Sequence, residues 1–201
     1  MFRGLDTRRD EISGWARLGI KRAATVAAVL ALPFGALASD ALAAPSLEYA
    51  IKAAYLYKLA AFVNWPPASF ESSSSPLRIC VIGEDPFKTV LDQAVSGVSV
   101  AGRPVQIARY DAVQPNMACQ IAYVAGSPIQ SRADALKILK GEPVLTVTDQ
   151  GRGGDPASEE GVVNFVLIEN RVRFDIDQHQ AVEDHLALSG KLLSLAVEVR
   201  R

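Results

Sequence analysis

The chain has 201 residues, with 21 Lys+Arg against 22 Asp+Glu, two histidines and two cysteines. That length accommodates one domain able to bury a core without covalent staples. A balance so close to neutral excludes a nucleic-acid surface, which needs clustered Lys and Arg, and no polybasic run suits an anionic membrane.

Residues 1–44 read as an N-terminal extension and signal peptide. Lys21-Arg22 precedes an apolar run from Ala23 to Leu32, and small-residue triplets follow at Ala36-Leu37-Ala38 and Ala41-Leu42-Ala43. A basic start, a short apolar core and an A-x-A site are the parts of a secretory leader. Pro33, Gly35 and Asp40 interrupt the run before it reaches the roughly 20 apolar residues of a membrane span. Cleavage is expected near Ala43 or Ala44, with an uncleaved anchor as the alternative. Arg8-Arg9 hints at a twin-arginine signal, but Asp10-Glu11 stand where apolar residues belong, so a start assigned too far upstream explains residues 1–20 better. Six basic and four acidic residues precede residue 44, which leaves the remainder 15 against 18, a net charge of −3.

Residues 46–62 are predicted to form a helix capped by Ser46, with Leu47, Ile51, Tyr55, Leu59 and Phe62 on its inner stripe. Pro66-Pro67 ends it, and Ser72-Ser73-Ser74-Ser75-Pro76 is a loop. A strand over 77–82 closes at Gly83. Asp85-Pro86 then opens a helix to about Val95 as N-cap plus first-turn proline. Strands at 98–100 and 104–110 flank the Ala101-Gly102-Arg103 turn, and another covers 119–125. Ser127-Pro128 repeats the capping device for a helix through Leu139, with Ile129, Ala133 and Leu136 inward, and 143–148 is the next strand. Alternating strands and helices imply parallel pairing. After a glycine- and acid-rich loop over 150–161, residues 162–168 and 171–176 form an antiparallel hairpin turning at Glu169-Asn170. A helix over 181–199, with a local break expected at Gly190, closes the chain. The fold class is thus α/β: an open, mixed, mainly parallel sheet with helices on both faces, followed by a C-terminal β-hairpin and helix.

Little in the sequence suggests catalysis. His185 and Ser189 lie four apart with Asp184 adjacent, but neighbouring helical residues point about 100° apart, so Asp184 could not orient His185. His179 and His185 are badly spaced for one helix face, and Gly151-Arg152-Gly153-Gly154-Asp155 lacks the Lys-Ser/Thr of a phosphate loop. No enzyme activity, metal or cofactor is expected. Cys80 and Cys119 are disulfide candidates in an oxidising compartment, with two separate buried thiols as the alternative. The helix starts after Gly83 and Gly126 leave backbone N–H groups at strand carboxyl ends, where open α/β sheets bind ligands; Gly83, Glu84, Asp85, Gly126 and Ser127 are the ligand-binding candidates. Tyr57 and Trp65, with Phe165, Leu167 and Phe174 of the hairpin, are the partner-binding candidates.

The order of motifs resembles the YfiR family of periplasmic proteins. It begins with Ile51-Lys52-Ala53-Ala54-Tyr55-Leu56-Tyr57-Lys58-Leu59 and Phe62-Val63-Asn64-Trp65-Pro66. It continues through Ile79-Cys80-Val81-Ile82-Gly83, Asp85-Pro86-Phe87, Cys119-Gln120-Ile121-Ala122-Tyr123-Val124 and Pro143-Val144-Leu145-Thr146-Val147-Thr148-Asp149. It closes with Val172-Arg173-Phe174-Asp175-Ile176 and Leu188-Ser189-Gly190-Lys191-Leu192-Leu193-Ser194-Leu195-Ala196. The resemblance covers nearly all of residues 45–201, which would form a single YfiR-like domain. It implies a periplasmic repressor that holds an inner-membrane diguanylate cyclase, or in other members a sensor kinase, inactive by binding its periplasmic part. An outer-membrane-anchored peptidoglycan-binding protein would withdraw the repressor, raising cyclic di-GMP and favouring biofilm. It further implies a homodimer, and a disulfide between Cys80 and Cys119, which match the family's strand cysteines. Two departures stand out. Glu160-Gly161 replaces the family's Gly-Gly before the hairpin, and Ile176-Asp177 replaces Ile-Asn before the last helix.

Overall fold

A computed structural model describes residues 47–150 and 160–201. The signal-peptide reading falls outside the described residues, as does most of the glycine-rich loop. Helix α1 (Leu47–Leu59) runs into a 3₁₀ turn (Ala60–Phe62) and a short strand β1 (Val63–Asn64). Its buried residues are Lys52, Ala53, Leu56 and Leu59, while Leu47 is 77% and Ile51 38% exposed. The buried face is therefore rotated from the predicted stripe. Apolar residues occur nearly all round this helix, so their spacing does not single out a face, and the small Ala53 and Ala60 lie against the sheet.

The sheet is built from β2 (Leu77–Gly83), then helix α2 (Thr89–Val95), β3 (Ser99–Val100), β4 (Arg103–Tyr110) and β5 (Ile121–Gly126). Helix α3 (Arg132–Leu139), β6 (Leu145–Asp149), β7 (Val163–Ile168) and β8 (Arg171–Asp177) follow. Helix α4 (Gln178–Glu183), β9 (Ala187–Leu188), helix α5 (Gly190–Leu193) and β10 (Val199–Arg200) complete the domain. Eight strands lie in the order β10-β8-β7-β6-β5-β2-β4-β3, and β1 pairs separately with β9. β4, β2, β5, β6 and β7 are mutually parallel; β8 turns back antiparallel to β7. The α/β class and the mainly parallel sheet are as the alternation of strand and helix signals implies.

Strand alternation sends two sets of side chains to opposite faces. Ile79, Val81, Ile121, Tyr123, Leu145 and Val147 join α1 and α2 in the larger core, together with Phe165, Phe174 and Ile176. Cys80, Ile82, Ala122 and Val124 join Ala135 and Leu139 of α3 in the smaller one. Cys80 and Cys119 form a disulfide with Cα atoms 5.9 Å apart, tying β2 to the start of β5 within that smaller core. The hairpin turn at Glu169 and Asn170 has positive φ at both residues, the conformation whose twist suits a two-residue β-hairpin.

Both predicted helix starts move. Asp85 accepts hydrogen bonds from the Phe87 and Lys88 N–H groups and closes a turn, but α2 begins only at Thr89, after Lys88 at φ +50°. Ser127 bridges to Gln130, and Ser131 is the N-cap of α3, accepting from the Asp134 N–H; Ile129, expected inward, is exposed. In each case the serine or aspartate caps a tight turn first, the competing use of a short polar side chain.

The long C-terminal helix is not formed. α4 stops at Glu183 because His185 takes a left-handed conformation, with the Leu186 N–H on Ala181 O (2.8 Å) and the His185 N–H on Val182 O (3.1 Å). These two bonds make a Schellman termination. Ala187–Leu188 then pairs with Val63–Asn64, Ser189 caps the four-residue α5, and the chain ends as a parallel edge strand beside β8.

Asp184, at the break, is buried and accepts from the Gly141 N–H (2.7 Å) and Gln180 Nε2 (2.8 Å). Burial raises its carboxyl above the ordinary value of 3.8 despite those bonds. A raised carboxyl favours the folded state fully below the unfolded value, and that contribution is lost as pH rises through the folded value. Asp184→Asn keeps the acceptor oxygen. The melting temperature of the variant minus that of the unsubstituted protein is therefore expected to be more positive at about pH 7 than at about pH 3.5, measured by circular dichroism.

Candidate functional site

β2 is the point at which the strand order reverses. From β2 the chain passes through α2 to β4 on one side, then returns to lay β5 on the other, and α2 and α3 cover opposite faces. Such a reversal leaves a crevice beyond the strand carboxyl ends. Here Gly83 and Gly126 end the two strands at φ +90° and +82°. A side chain on Gly83 would collide with the Gly126 carbonyl, and one on Gly126 would lie 2.9 Å from the Arg132 nitrogen. The backbones touch, with the Glu84 N–H donating to Gly126 O at 2.9 Å.

Beyond them opens a cleft of about 490 Å³ lined by Tyr49, Glu84, Asp85, Lys88, Tyr123 and Arg132, with Asp149 and Gln150 at the end of β6. On one wall Arg109 binds Asp85 (2.7 Å) and Asp92 (2.6 Å), and holds the Asp92 carboxyl below its ordinary range. Behind the lining residue Asp149, Lys52, fully buried, places Nζ 2.5 Å from both Glu48 and Asp149. The Tyr123 hydroxyl donates to Asp149 at 3.4 Å, and its ring meets Phe87 edge-on at 4.7 Å. Burial, reinforced by the Asp149 charge, raises the phenols of Tyr123 and Tyr49, so both remain protonated. Arg132, at the first turn of α3, has a buried Nε with no hydrogen-bond partner.

Four of the five ligand-binding candidates thus meet at this reversal: Gly83 and Gly126 form its base, and Glu84 and Asp85 line the cleft. Ser127 does not join them; its hydroxyl donates to Asp111 O (2.7 Å), and it serves the turn before α3. The residues missed from the sequence are Tyr49, Lys52, Tyr123, Arg132, Asp149 and Gln150. The available signal was a lysine within the otherwise apolar run 50–57 and an aspartate ending a buried strand, two charges that only a partner can keep inside.

The partner-binding candidates divide. Phe165 and Phe174 are corrected to core residues: they face one another across the hairpin, and Tyr55 packs on both at 6.0 and 5.8 Å. Strand alternation turns them toward α1, so neither is presented to a partner. Leu167 is half-buried. Trp65 is half-buried as well, donating from Nε1 to Gln120 O at 3.1 Å and packing edge-on against Phe70. Tyr57 is half-buried, with the Lys58 ammonium 5.9 Å from its ring. The exposed apolar residues of the hairpin and C-terminal segment are instead Ile168, Val182, Leu195 and Val197.

The two departures from the family pattern prove to be neighbours. Glu160 binds Arg200 (2.6 Å) and accepts from Asn164 and Gln150, while Asp177 caps α4 and lies 3.4 Å from the same guanidinium. Gly161, the glycine retained, sits where a side chain would lie 2.7 Å from Thr146 O.

No curated protein matches the chain. The family model described as YfiR/HmsC-like, DUF4154, matches residues 49–197, which take in every strand of the eight-stranded sheet except β10, together with the disulfide and the strand-end cleft. The chain belongs to the YfiR/HmsC-like family.

Proposed function

We propose that the protein is a periplasmic signalling regulator that holds an inner-membrane partner inactive by binding the partner's periplasmic part, with no catalysis of its own. The observation carrying this reading is the family match over residues 49–197. A disulfide buried in the sheet supports it, because such bonds persist in oxidising compartments. The partner is a diguanylate cyclase or a sensor kinase, and an outer-membrane-anchored peptidoglycan-binding protein is the counterpart that relieves repression. The working form is a homodimer. Sensing of a small molecule is the alternative, and the strand-end cleft is the observation that favours it.

Deletion of the gene in its native host is expected to raise cyclic di-GMP, or the output of the kinase. An exported copy should restore the basal level, and a copy lacking the leader should not. The exported protein should also co-purify with the periplasmic region of the signalling protein. Unchanged signalling on deletion, with the chain recovered uncleaved and reduced from the cytosol, would sink the proposal.

A further inference from the structure

We propose that the strand-end cleft binds a small organic anion, whose carboxylate or phosphate is held by Arg132. This deepens the sensing alternative and is independent of repression. Three observations on different links of the chain converge on it.

The first is topological. The cleft lies at the one place among the described residues where strand order reverses between parallel neighbours, beyond Gly83 and Gly126. Open α/β sheets place ligands at such points because helices on opposite faces diverge there. The volume of about 490 Å³ falls within the range of small-molecule sites.

The second is the state of the charges. Asp149 shares Lys52 with Glu48, and Asp85 shares Arg109 with Asp92 and also accepts from two backbone N–H groups, so each of these carboxylates already has a cation beside it. Of the charged residues lining the cleft, Arg132, Lys88 and Glu84 are the three without an ion-pair partner among the described residues, two cations against one carboxylate, while Asp85 and Asp149 are paired. Tyr49 and Tyr123, kept protonated, add no negative charge.

The third is Arg132 itself. Its Nε is enclosed yet donates to nothing. A buried donor without an acceptor is unfavourable, and a guanidinium is completed best by a planar or tetrahedral oxyanion. Gly126 brings the end of β5 directly against the first turn of α3, which holds the arginine at the cleft.

The test uses protein purified from the envelope of cells expressing the full chain, titrated with sodium succinate, sodium phosphate and, for ionic strength, sodium chloride. Succinate or phosphate should raise the melting temperature beyond the chloride control. Arg132→Gln should weaken the apparent affinity about tenfold or more, whereas Arg171→Gln, on the exposed hairpin, should leave it unchanged. A response to succinate alone assigns a carboxylate, to phosphate alone a phosphate, and to both an oxyanion of either kind. If Arg132→Gln does not fold, amide shifts on the unsubstituted protein decide: movement at Glu84, Ala125, Gly126 and Arg132 supports the site, and movement elsewhere only overturns it. No rise beyond chloride with either anion, or equal affinity in Arg132→Gln, also overturns it. Signalling on deletion is read separately, so failure here leaves repression intact.

Discussion

Lys52→Met should cost about 3–5 kcal/mol of folding free energy, read as the loss of extrapolated stability in urea titrations. The lysine is fully buried and lies between Glu48 and Asp149. Removing it takes away the buried ammonium 2.5 Å from Asp149, and losing one member of a buried pair is far more costly than the pair was stabilising. Asp149→Asn should cost less, because Lys52 keeps Glu48. Replacing both members, as Lys52→Met with Asp149→Leu, should recover much of the loss, since apolar packing of similar volume often substitutes for a buried pair at little cost. A single-variant loss below about 1 kcal/mol would place the pair in the range of solvent-exposed bridges and contradict its burial. With domains marginally stable at about 5–15 kcal/mol, the single variant should also accumulate poorly in cells.

Removal of the disulfide is the second large effect. Cys80 and Cys119 close a loop of 39 residues, for which the chain-entropy relation gives about 4 kcal/mol. For a domain of this size each kcal/mol corresponds to about 2–4 °C, so Cys80→Ala with Cys119→Ala should melt about 8–16 °C lower. The unsubstituted protein should fall by a comparable amount when scanned with reductant, and the double variant should ignore reductant. Scans of the unsubstituted protein that coincide with and without reductant would show that the bond does not form in solution. The effect reaches beyond the unfolded chain, because the two sulfurs fill part of the smaller core beside Ile82, Val124 and Ala135.

The sheet was legible in the sequence because its strands are short apolar runs closed by glycine, proline or polar turns, as at Leu77–Gly83 and Leu145–Asp149. The hairpin was legible from Glu169-Asn170, a pair able to take positive φ. Helix ends were less so. A serine or aspartate before proline caps a turn as readily as a helix, and Asp85 and Ser127 took the first course. The C-terminal segment misled because its spacing suits a helix, whereas two local devices divide it: the left-handed His185 and the N-cap Ser189. The site was half visible. The glycines announced the strand ends, but Lys52, Asp149 and Arg132 come together only when α1, β6 and α3 converge, a proximity that no local pattern encodes. The hairpin aromatics were misjudged for the opposite reason: alternation shows that Phe165 and Phe174 share a face, not whether that face is covered.

The guanidinium of Arg200 between Glu160 and Asp177 has a practical corollary. β10 contributes only two residues to the sheet, so this double clasp is much of what keeps the rim of β8 sheltered. Trimming residues 197–201, or fusing an affinity tag hard against them, would bare main-chain donors and acceptors along β8 and invite sticking between copies. Purification handles for the experiments above belong elsewhere, since oligomers seen with a disturbed tail would report an unzipped border rather than a native dimer.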